Sequence, residues 1–541
     1  NRGSIMRKTY DRWKKALTIS VITAVMVGCV STHDDAINAL NNGDKAEAIE
    51  IWTSLAKKGD AQAMYQLGSA GVLDSQQAEL WVKKAADSGL PQAQSDYGKL
   101  LFMGGKYEAG LEYLSQAKKS GNKEASDFIL LYESQIPYLL KAEKGNSQAM
   151  LQLGWIHRKN NDFITAFNWF KKSADKGNTD AHFYLGYAYD VGQGTTLDDV
   201  KAINHYKVAA EKGGDPTAMF NLGILYRDGE GTVIDKVTAF KWFEKSASTG
   251  HINAISELGN AYLYGQGTEK NYSKAFALLS KAAPENPYAA ANLGDMYHDG
   301  VGVEQSYATS FKWYLSAAQK GNSRAQYSLG NQYYFGRGIG KNYEQALNWY
   351  IKAAEQGNVQ AQFSLGLMYD GGLGTQINNK QSFYWYSQAA KQGHAAAQNN
   401  LAVKYARGEG TEENQQLANE WYRKSANQND EVAQNNLGNI YEYGRSENIS
   451  YTTAAYWYAR AAQNNYKPAN ENLQRVLKKL SKRRVNVSDT QILQDKDFES
   501  ARLQLLKQSE QVYELSEGQG WTEVYYPKNN TIGYIYSAYL R

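Results

Sequence analysis

A pattern of 36 residues is written twice in succession between Gly321 and Gln392, and that repetition constrains the fold more than any other feature of the chain. Gly-Asn-Ser-Arg-Ala-Gln-Tyr-Ser-Leu-Gly from Gly321 is answered by Gly-Asn-Val-Gln-Ala-Gln-Phe-Ser-Leu-Gly from Gly357. Ala346 to Ala354, Ala-Leu-Asn-Trp-Tyr-Ile-Lys-Ala-Ala, is answered by Ser382 to Ala390. A Leu-Gly pair serves as a ruler, at Leu153, Leu185, Leu222, Leu258, Leu293, Leu329, Leu365 and Leu437, with Leu401-Ala402 as a variant. From Leu222 onward its steps are 36, 35, 36, 36, 36 and 36 residues. A unit of this length cannot bury its apolar face alone, so the period predicts helix pairs stacked into a solenoid.

Each unit opens on a helix whose Ala, Leu, Gly and Tyr recur at helical intervals and make one face small and apolar. The second helix places Ala, Trp, an aromatic, a small residue and Ala at i, i+3, i+4, i+7 and i+8, as in Ala346, Trp349, Tyr350, Ala353 and Ala354. Ten of the 12 Trp residues lie in these repeats, the exceptions being Trp13 and Trp521, so the rings read as packing residues. Gly321 and Gly357 suit the left-handed end of one helix, and the Asn after each suits the cap of the next. Gly-x-Gly, at Gly192/Gly194 and at six later places as far as Gly408/Gly410, marks the turn inside a unit.

This combination, Leu-Gly-x-x-Tyr-x-x-Gly-x-Gly followed by Ala-x-x-Trp-Tyr-x-x-Ala-Ala, resembles the Sel-1-like repeat family, a relative of the tetratricopeptide repeats. The resemblance covers roughly four-fifths of the chain. It implies an all-α, right-handed α-solenoid superhelix used for protein–protein contacts, often in bacterial envelope or host-interaction roles.

Residues 1–28 stand apart. Asn1 to Ile5 reads as an expression scar before Met6; Met6 to Lys15 carries five basic residues against Asp11, and the apolar run Ala16 to Gly28 leads to the single cysteine, Cys29. Thirteen apolar residues are few for a bilayer span. Basic segment, short apolar run and Met26-Val27-Gly28-Cys29 resemble a bacterial lipoprotein signal, which implies cleavage before Cys29, lipidation of Cys29 and, with Val30 next, sorting to the outer membrane. An ordinary secretory signal or a short uncleaved anchor is the alternative. Without this segment the formal charge of +4 loses six basic and one acidic residue, and a near-neutral remainder argues against nucleic acid as a partner. One thiol excludes an internal disulfide framework.

The remaining organisation is 29–144, shorter helical repeats that turn irregular, with a bend, at Gly121 to Lys144; 145–464, regular repeats; 465–483, a capping helix; and 484–541, a β domain. Arg475, Lys478, Lys479 and Lys482 read as the solvated outer face of the cap, with contact to anionic lipid or polymer as the other reading. After Arg484 the period changes to short alternating runs at Val485–Val487, Leu503–Leu505, Val512–Leu515, Trp521–Val524 and Ile532–Ile535, which predict five strands in a small all-β barrel. Gly520, Trp521, Val524, Gly533, Tyr534, Ile535, Tyr539 and Leu540 resemble the ending of a bacterial Src-homology-3 domain. That implies a module for cell-wall peptide or a protein segment, with Trp521, Tyr525, Tyr534 and Tyr539 as candidate ligand residues; a stabilising cap on the solenoid is the alternative.

The seven His residues are scattered without His-Glu-x-x-His or cysteine partners, no Gly-Lys-Ser/Thr follows a Gly-x-Gly, and no serine elbow occurs. No catalytic, metal or cofactor site is expected. The 41 Tyr exceed what one core stripe needs, and Tyr262, Tyr264, Tyr333, Tyr334 and Phe335 are candidate partner-binding rings. The expectation is a non-enzymatic outer-membrane lipoprotein facing the periplasm, a scaffold for unidentified proteins that binds peptidoglycan or exported polysaccharide through its C-terminal domain. The alternative is a surface-exposed receptor or adhesin for a host protein.

Overall fold

The computed structural model describes residues 32–480, 482–484, 490–494, 502–507, 510–518, 521–529, 531–537 and 540. The expected signal segment, Cys29, Tyr539 and the expected strand Val485–Val487 lie outside the described residues. The chain forms two compact units, Asn1–Lys270 and Asn271–Arg541. This division falls inside a regular repeat, at neither of the composition boundaries near residues 144 and 484.

Both units are α-solenoids of antiparallel helix pairs. In unit 2 the pair Ser323–Phe335 and Tyr343–Glu355 is followed by Val359–Gly371 and Asn379–Lys391, all four helices 13 residues long. The punctuation works as the local chemistry requires. Gly321 and Gly357 have φ of 88° and 86°, and the Asn322 and Asn358 side chains accept from the amides of Ala325 and Ala361 at 2.8 and 2.9 Å. The second glycine of each turn answers to packing: a Cβ on Gly231 would stand 2.6 Å from Asp199, and one on Gly374 2.5 Å from the Tyr343 carbonyl, both in the preceding repeat.

The Leu-Gly ruler is a hole for a ring. A Cβ on Gly330 would lie 2.6 Å from two ring carbons of Tyr350, and Gly186 meets Tyr206 at the same distance. The buried tyrosine then carries its hydroxyl to a polar residue just after the glycine or four residues later: Tyr350 donates to Asn331 at 2.6 Å, and Tyr206 to Asp190 at 2.9 Å. Trp349, beside Tyr350, is only partly buried, and the Lys352 ammonium sits 4.1 Å from its ring centroid. Lys172 over Trp169, Lys245 over Trp242 and Lys424 over Trp421 repeat that cover at 4.4, 4.3 and 4.0 Å, so the tryptophan is a ring under a cation lid.

Successive repeats in unit 2 are joined by a buried amide clamp. Gln362 donates to the Ala354 carbonyl at 3.1 Å, which also accepts from the Gly357 amide at 2.9 Å at the end of the preceding helix, and Gln362 accepts from Gln392 at 2.8 Å. Gln326, Gln398 and Gln434 do the same with Ala318, Ala390 and Ala426. Replacing Gln362 with leucine removes this link between the two repeats while the carbonyl keeps its Gly357 donor, and is expected to cost about 1 kcal/mol in chemical denaturation. Gln360→Leu, at an exposed position whose side chain meets His394 at 3.2 Å and none of the clamp groups, should change stability by less than about 0.5 kcal/mol.

Gly121 to Lys144 is a compressed helix pair, Lys123–Tyr132 and Ile136–Glu143, whose second helix carries Pro137 in its first turn and whose residues join a core with Phe102, Leu114 and Leu153. The basic residues of the cap, Arg475, Lys478 and Lys479, are exposed. Two of them also make internal contacts: Arg475, in the helix Lys467–Leu477, makes a two-point pair with the buried Glu442 at 2.7 and 2.8 Å, and Lys479 lies over the Tyr451 ring.

The chain ends in a small β domain, one antiparallel sheet of β1 (Lys482–Arg484), β2 (Thr490–Leu493), β3 (Arg502–Leu506), β4 (Gln511–Gly518), β5 (Trp521–Tyr526) and β6 (Thr531–Tyr536), ordered β1-β4-β5-β6-β2-β3. Four expected strands fall within β3 to β6, and β1 and β2 are additional. No pairing among the described residues closes β3 onto β1. One face holds Ile492, Leu506, Val512, Val524 and Ile535. From the other, Tyr525 and Leu515 enter a single core with Tyr458, Leu473 and Val476 of the last helices, so the sheet seals the end of unit 2.

Candidate functional site

The first helices of the repeats supply the surface on which unit 2 is most extensively cross-linked by polar side chains. Arg324 bonds Asp295 and Asn292 of the preceding first helix, Asn436 donates to Asn399 at 3.1 Å, and Asn472 donates to Asn435 at 2.8 Å. Lys404, its side chain 3% exposed, is held by Asp370, by Glu409 at 2.9 Å and by Asn379 at 3.1 Å. Burial lifts the Asp295 carboxyl above its ordinary value against the pull of Arg324. Burial acts the same way on Glu442, but the Arg475 and Tyr458 hydrogen bonds outweigh it and hold that carboxyl low. The cations on this row are spent on internal carboxylates.

Unit 1 carries a different constellation on the corresponding row. In the helix Ser147–Lys159, Trp155 and Arg158 face Tyr184 and Tyr187 of the helix Thr179–Asp190. The Arg158 guanidinium carbon lies 4.7 Å from the Tyr187 ring centroid, 5.4 Å from Trp155 and 5.9 Å from Tyr184. Trp155 meets Tyr184 edge-on at 4.7 Å, and Tyr184 stacks on Phe170 at 4.9 Å. Beside these rings is a cleft lined further by Phe163, Phe167 and Gln193. Sequence reasoning passed over this group. The available signal was the aromatic residue directly after Leu-Gly, Trp155 and Tyr187, where later repeats carry Ile, Asn, Asp, Leu or Val.

The rings singled out from sequence fall into two settings. Tyr262 and Tyr333 pack against the second helix of the preceding repeat, edge-to-face with Phe240 and Phe311 at 5.4 Å each, and the Tyr333 carbonyl accepts from the Asn342 cap. They are packing residues. Tyr264 and Phe335, each about half exposed, end their first helices; Tyr334 lies edge-on to Phe335 and Tyr343. In the β domain Tyr525 is 1% exposed within the joint core, which removes it as a ligand contact in this state. Trp521 and Tyr534 are partly buried on the same face of the sheet, farther along β5 and β6. Among the described residues no three His, Cys, Asp or Glu side chains are grouped to hold a metal ion, and no helix is long and apolar enough to cross a membrane.

Stacked hairpins with a repeated glycine hole, a loop turning on paired glycines and long side-chain rows define a helical-repeat scaffold. The pattern described as the Sel1 repeat matches at residues 61–90, 91–122, 147–178, 179–214, 216–251, 252–283, 287–322, 323–358, 359–394, 395–430 and 432–466, and the chain belongs to the Sel1-repeat family. It is similar to a protective antigen present in uropathogenic Escherichia coli strains that displays an SLR fold, at 31% identity over 80% of this chain and 91% of that one, with a TM-score of 0.55. A Sel1 repeat protein from Oxalobacter formigenes is 27% identical over 61% of this chain and 93% of that one, with a TM-score of 0.44. An uncharacterised protein of Neisseria meningitidis serogroup B is 26% identical over 286 residues, 52% of this chain and 55% of that protein. The chain thus spans about half the length of that curated relative. Sel1 repeat proteins are scaffolds for protein–protein interaction, typically without catalysis.

Proposed function

We propose that this protein is a non-enzymatic scaffold of the bacterial cell envelope, held to the outer membrane by lipid on Cys29 and facing the periplasm, which gathers protein partners along its first-helix rows. The observation that carries the scaffold reading is the side-chain surface itself: within each unit successive repeats present their first helices, with partly exposed rings such as Trp155, Tyr264 and Phe335 at helix faces and ends. The envelope reading is supported by the basic segment, the apolar run Ala16 to Gly28 and Cys29. Trp521 and Tyr534 are the side chains proposed to meet peptidoglycan or exported polysaccharide, as in a Src-homology-3-like module; the seal made by Tyr525 equally supports a capping role.

A second reading is favoured by the likeness to the E. coli protective antigen: exposure on the cell surface as a receptor or adhesin for a host protein. Crosslinking in living cells followed by mass spectrometry tests the scaffold, and protease treatment of intact cells separates the two readings. A periplasmic scaffold resists protease until the outer membrane is opened, incorporates labelled palmitate, and loses both label and membrane fractionation in Cys29→Ser. Digestion on intact cells selects the surface reading, and a Cys29→Ser protein that keeps the label ends the lipoprotein assignment.

A further inference from the structure

Arg158 and Arg227 occupy the same place in their repeats, five residues after the ruler leucines Leu153 and Leu222. Arg227 is neutralised twice, by Asp228 beside it at 2.7 Å and by Glu257, just before the ruler leucine of the next first helix, at 3.2 Å. At Arg158 both acids are replaced: Lys159 stands where Asp228 stands, and Tyr184, just before Leu185, stands where Glu257 stands. The result is a guanidinium held by the faces of Trp155, Tyr184 and Tyr187, while Arg324, Lys404 and Arg475 elsewhere on these rows pair with Asp295, Asp370 and Glu442.

Aromatic faces steady a cation and leave its hydrogen-bonding edge available, and a guanidinium edge matches a carboxylate through two parallel N–H donors. The cleft beside it, walled by Phe163, Phe167 and Phe170 and in part by Arg158 itself, is too small for a side chain, whereas the Trp155 ring next to it is 39% exposed. An α-carboxylate carries its own side chain one carbon away, so a single terminal residue can meet the guanidinium and lay an apolar side chain on the Trp155 ring together. The more distant carboxylate of an internal Glu cannot place its chain in the same way. From this geometry we infer that Arg158, Trp155, Tyr184 and Tyr187 receive the C-terminal carboxylate of a partner polypeptide whose last residue is apolar. The inference rests on the scaffold reading and names the chemistry of one partner contact within it.

The test is fluorescence anisotropy on the full chain with labelled Gly-Ser-Gly-Xaa-Xaa peptides covering every residue at the last two positions, each as free acid and as C-terminal amide. The expected result is a set of apolar-ended acids that bind at least tenfold more tightly than their amides. Arg158→Gln removes that preference, Arg158→Lys retains part of it, and Arg227→Gln leaves it unchanged. Thermal melts of each variant keep a loss of folding separate from a loss of the site. No acid binding better than its amide, a preference that survives Arg158→Gln, or equal binding of peptides with an internal Glu and an amidated end would overturn the inference. In-cell crosslinks that persist in Arg158→Gln keep the scaffold and discard this site; their absence in the unaltered protein removes the scaffold reading itself.

Discussion

Gly330→Leu is expected to destabilise unit 2 by about 3 kcal/mol or more, among the larger effects a single core substitution produces. Even the first added carbon would stand 2.6 Å from the Tyr350 ring, and that ring is 2% exposed with its hydroxyl fixed on Asn331. Neither side can move without opening the hairpin between Ser323–Phe335 and Tyr343–Glu355. Tyr350→Leu alone should also destabilise, because it leaves the glycine hole part empty and orphans the Asn331 oxygen. The double variant is expected to recover part of the sum, since the new leucine occupies space the ring has vacated. Urea denaturation and hydrogen exchange measure this directly. Exchange should rise most in the repeats next to Gly330, because each repeat in a solenoid is stabilised by its neighbours. Equal stability of Gly330→Leu and the unaltered protein would mean that the ring does not fill the glycine site.

Lowering the pH from 7 to 5 is expected to destabilise the protein, with unit 1 affected most. Burial pushes His157, His182, His205, His251 and His394 below the ordinary imidazole value, His205 to about 4 because its ring also faces His182 at 2.9 Å. Each folded value lies below the unfolded 6.5, so the unfolded chain takes up protons first. Stability is therefore complete above about pH 6.5 and falls as the pH drops below it. His251 and His394 add a local reason: their Nδ1 atoms accept the capping amides of Ala254 and Ala397 at 3.2 Å, and a protonated ring cannot accept. His205, pushed furthest down, contributes the largest share of this loss. Below that range the raised carboxyls of Asp96, Asp190 and Asp295 offset part of the trend, because they bind protons more readily folded than unfolded. Denaturation midpoints between pH 7.5 and 5 check the slope, and His205→Trp, the residue this position carries in other repeats, should flatten it. A midpoint independent of pH in both proteins would contradict the burial assigned to these rings.

Much of the fold was legible because the interactions that fix it are local. A left-handed glycine, an asparagine cap and an Ala-Leu-Gly face act within one helix or its immediate turn, and they placed the helix ends at Gly321, Asn322 and Gly357 correctly. The functional surface was less legible. Tyr333 and Phe335 are two residues apart, yet one faces Phe311 of the preceding repeat and the other is half exposed, a difference that helical phase decides only once the stacking of repeats is known. Trp349 and Tyr350 both lie on the apolar stripe, and composition could not say which ring would fill the glycine hole and which would lie under a lysine. Arg158 and Arg227 were indistinguishable until their neighbours across the next helix were in place.

The amino-acid order determined the 36-residue period, the helix pairs and the family, since each of these is written in contacts that repeat within a few turns of chain. The tertiary structure decided the Gln362 clamp, the pairing of Arg475 with the buried Glu442, the burial of Tyr525 and the setting of Arg158 among the rings of Trp155, Tyr184 and Tyr187. These depend on side chains about thirty to seventy residues apart arriving on adjacent helices or strands, and the crossing of those elements sets which groups meet.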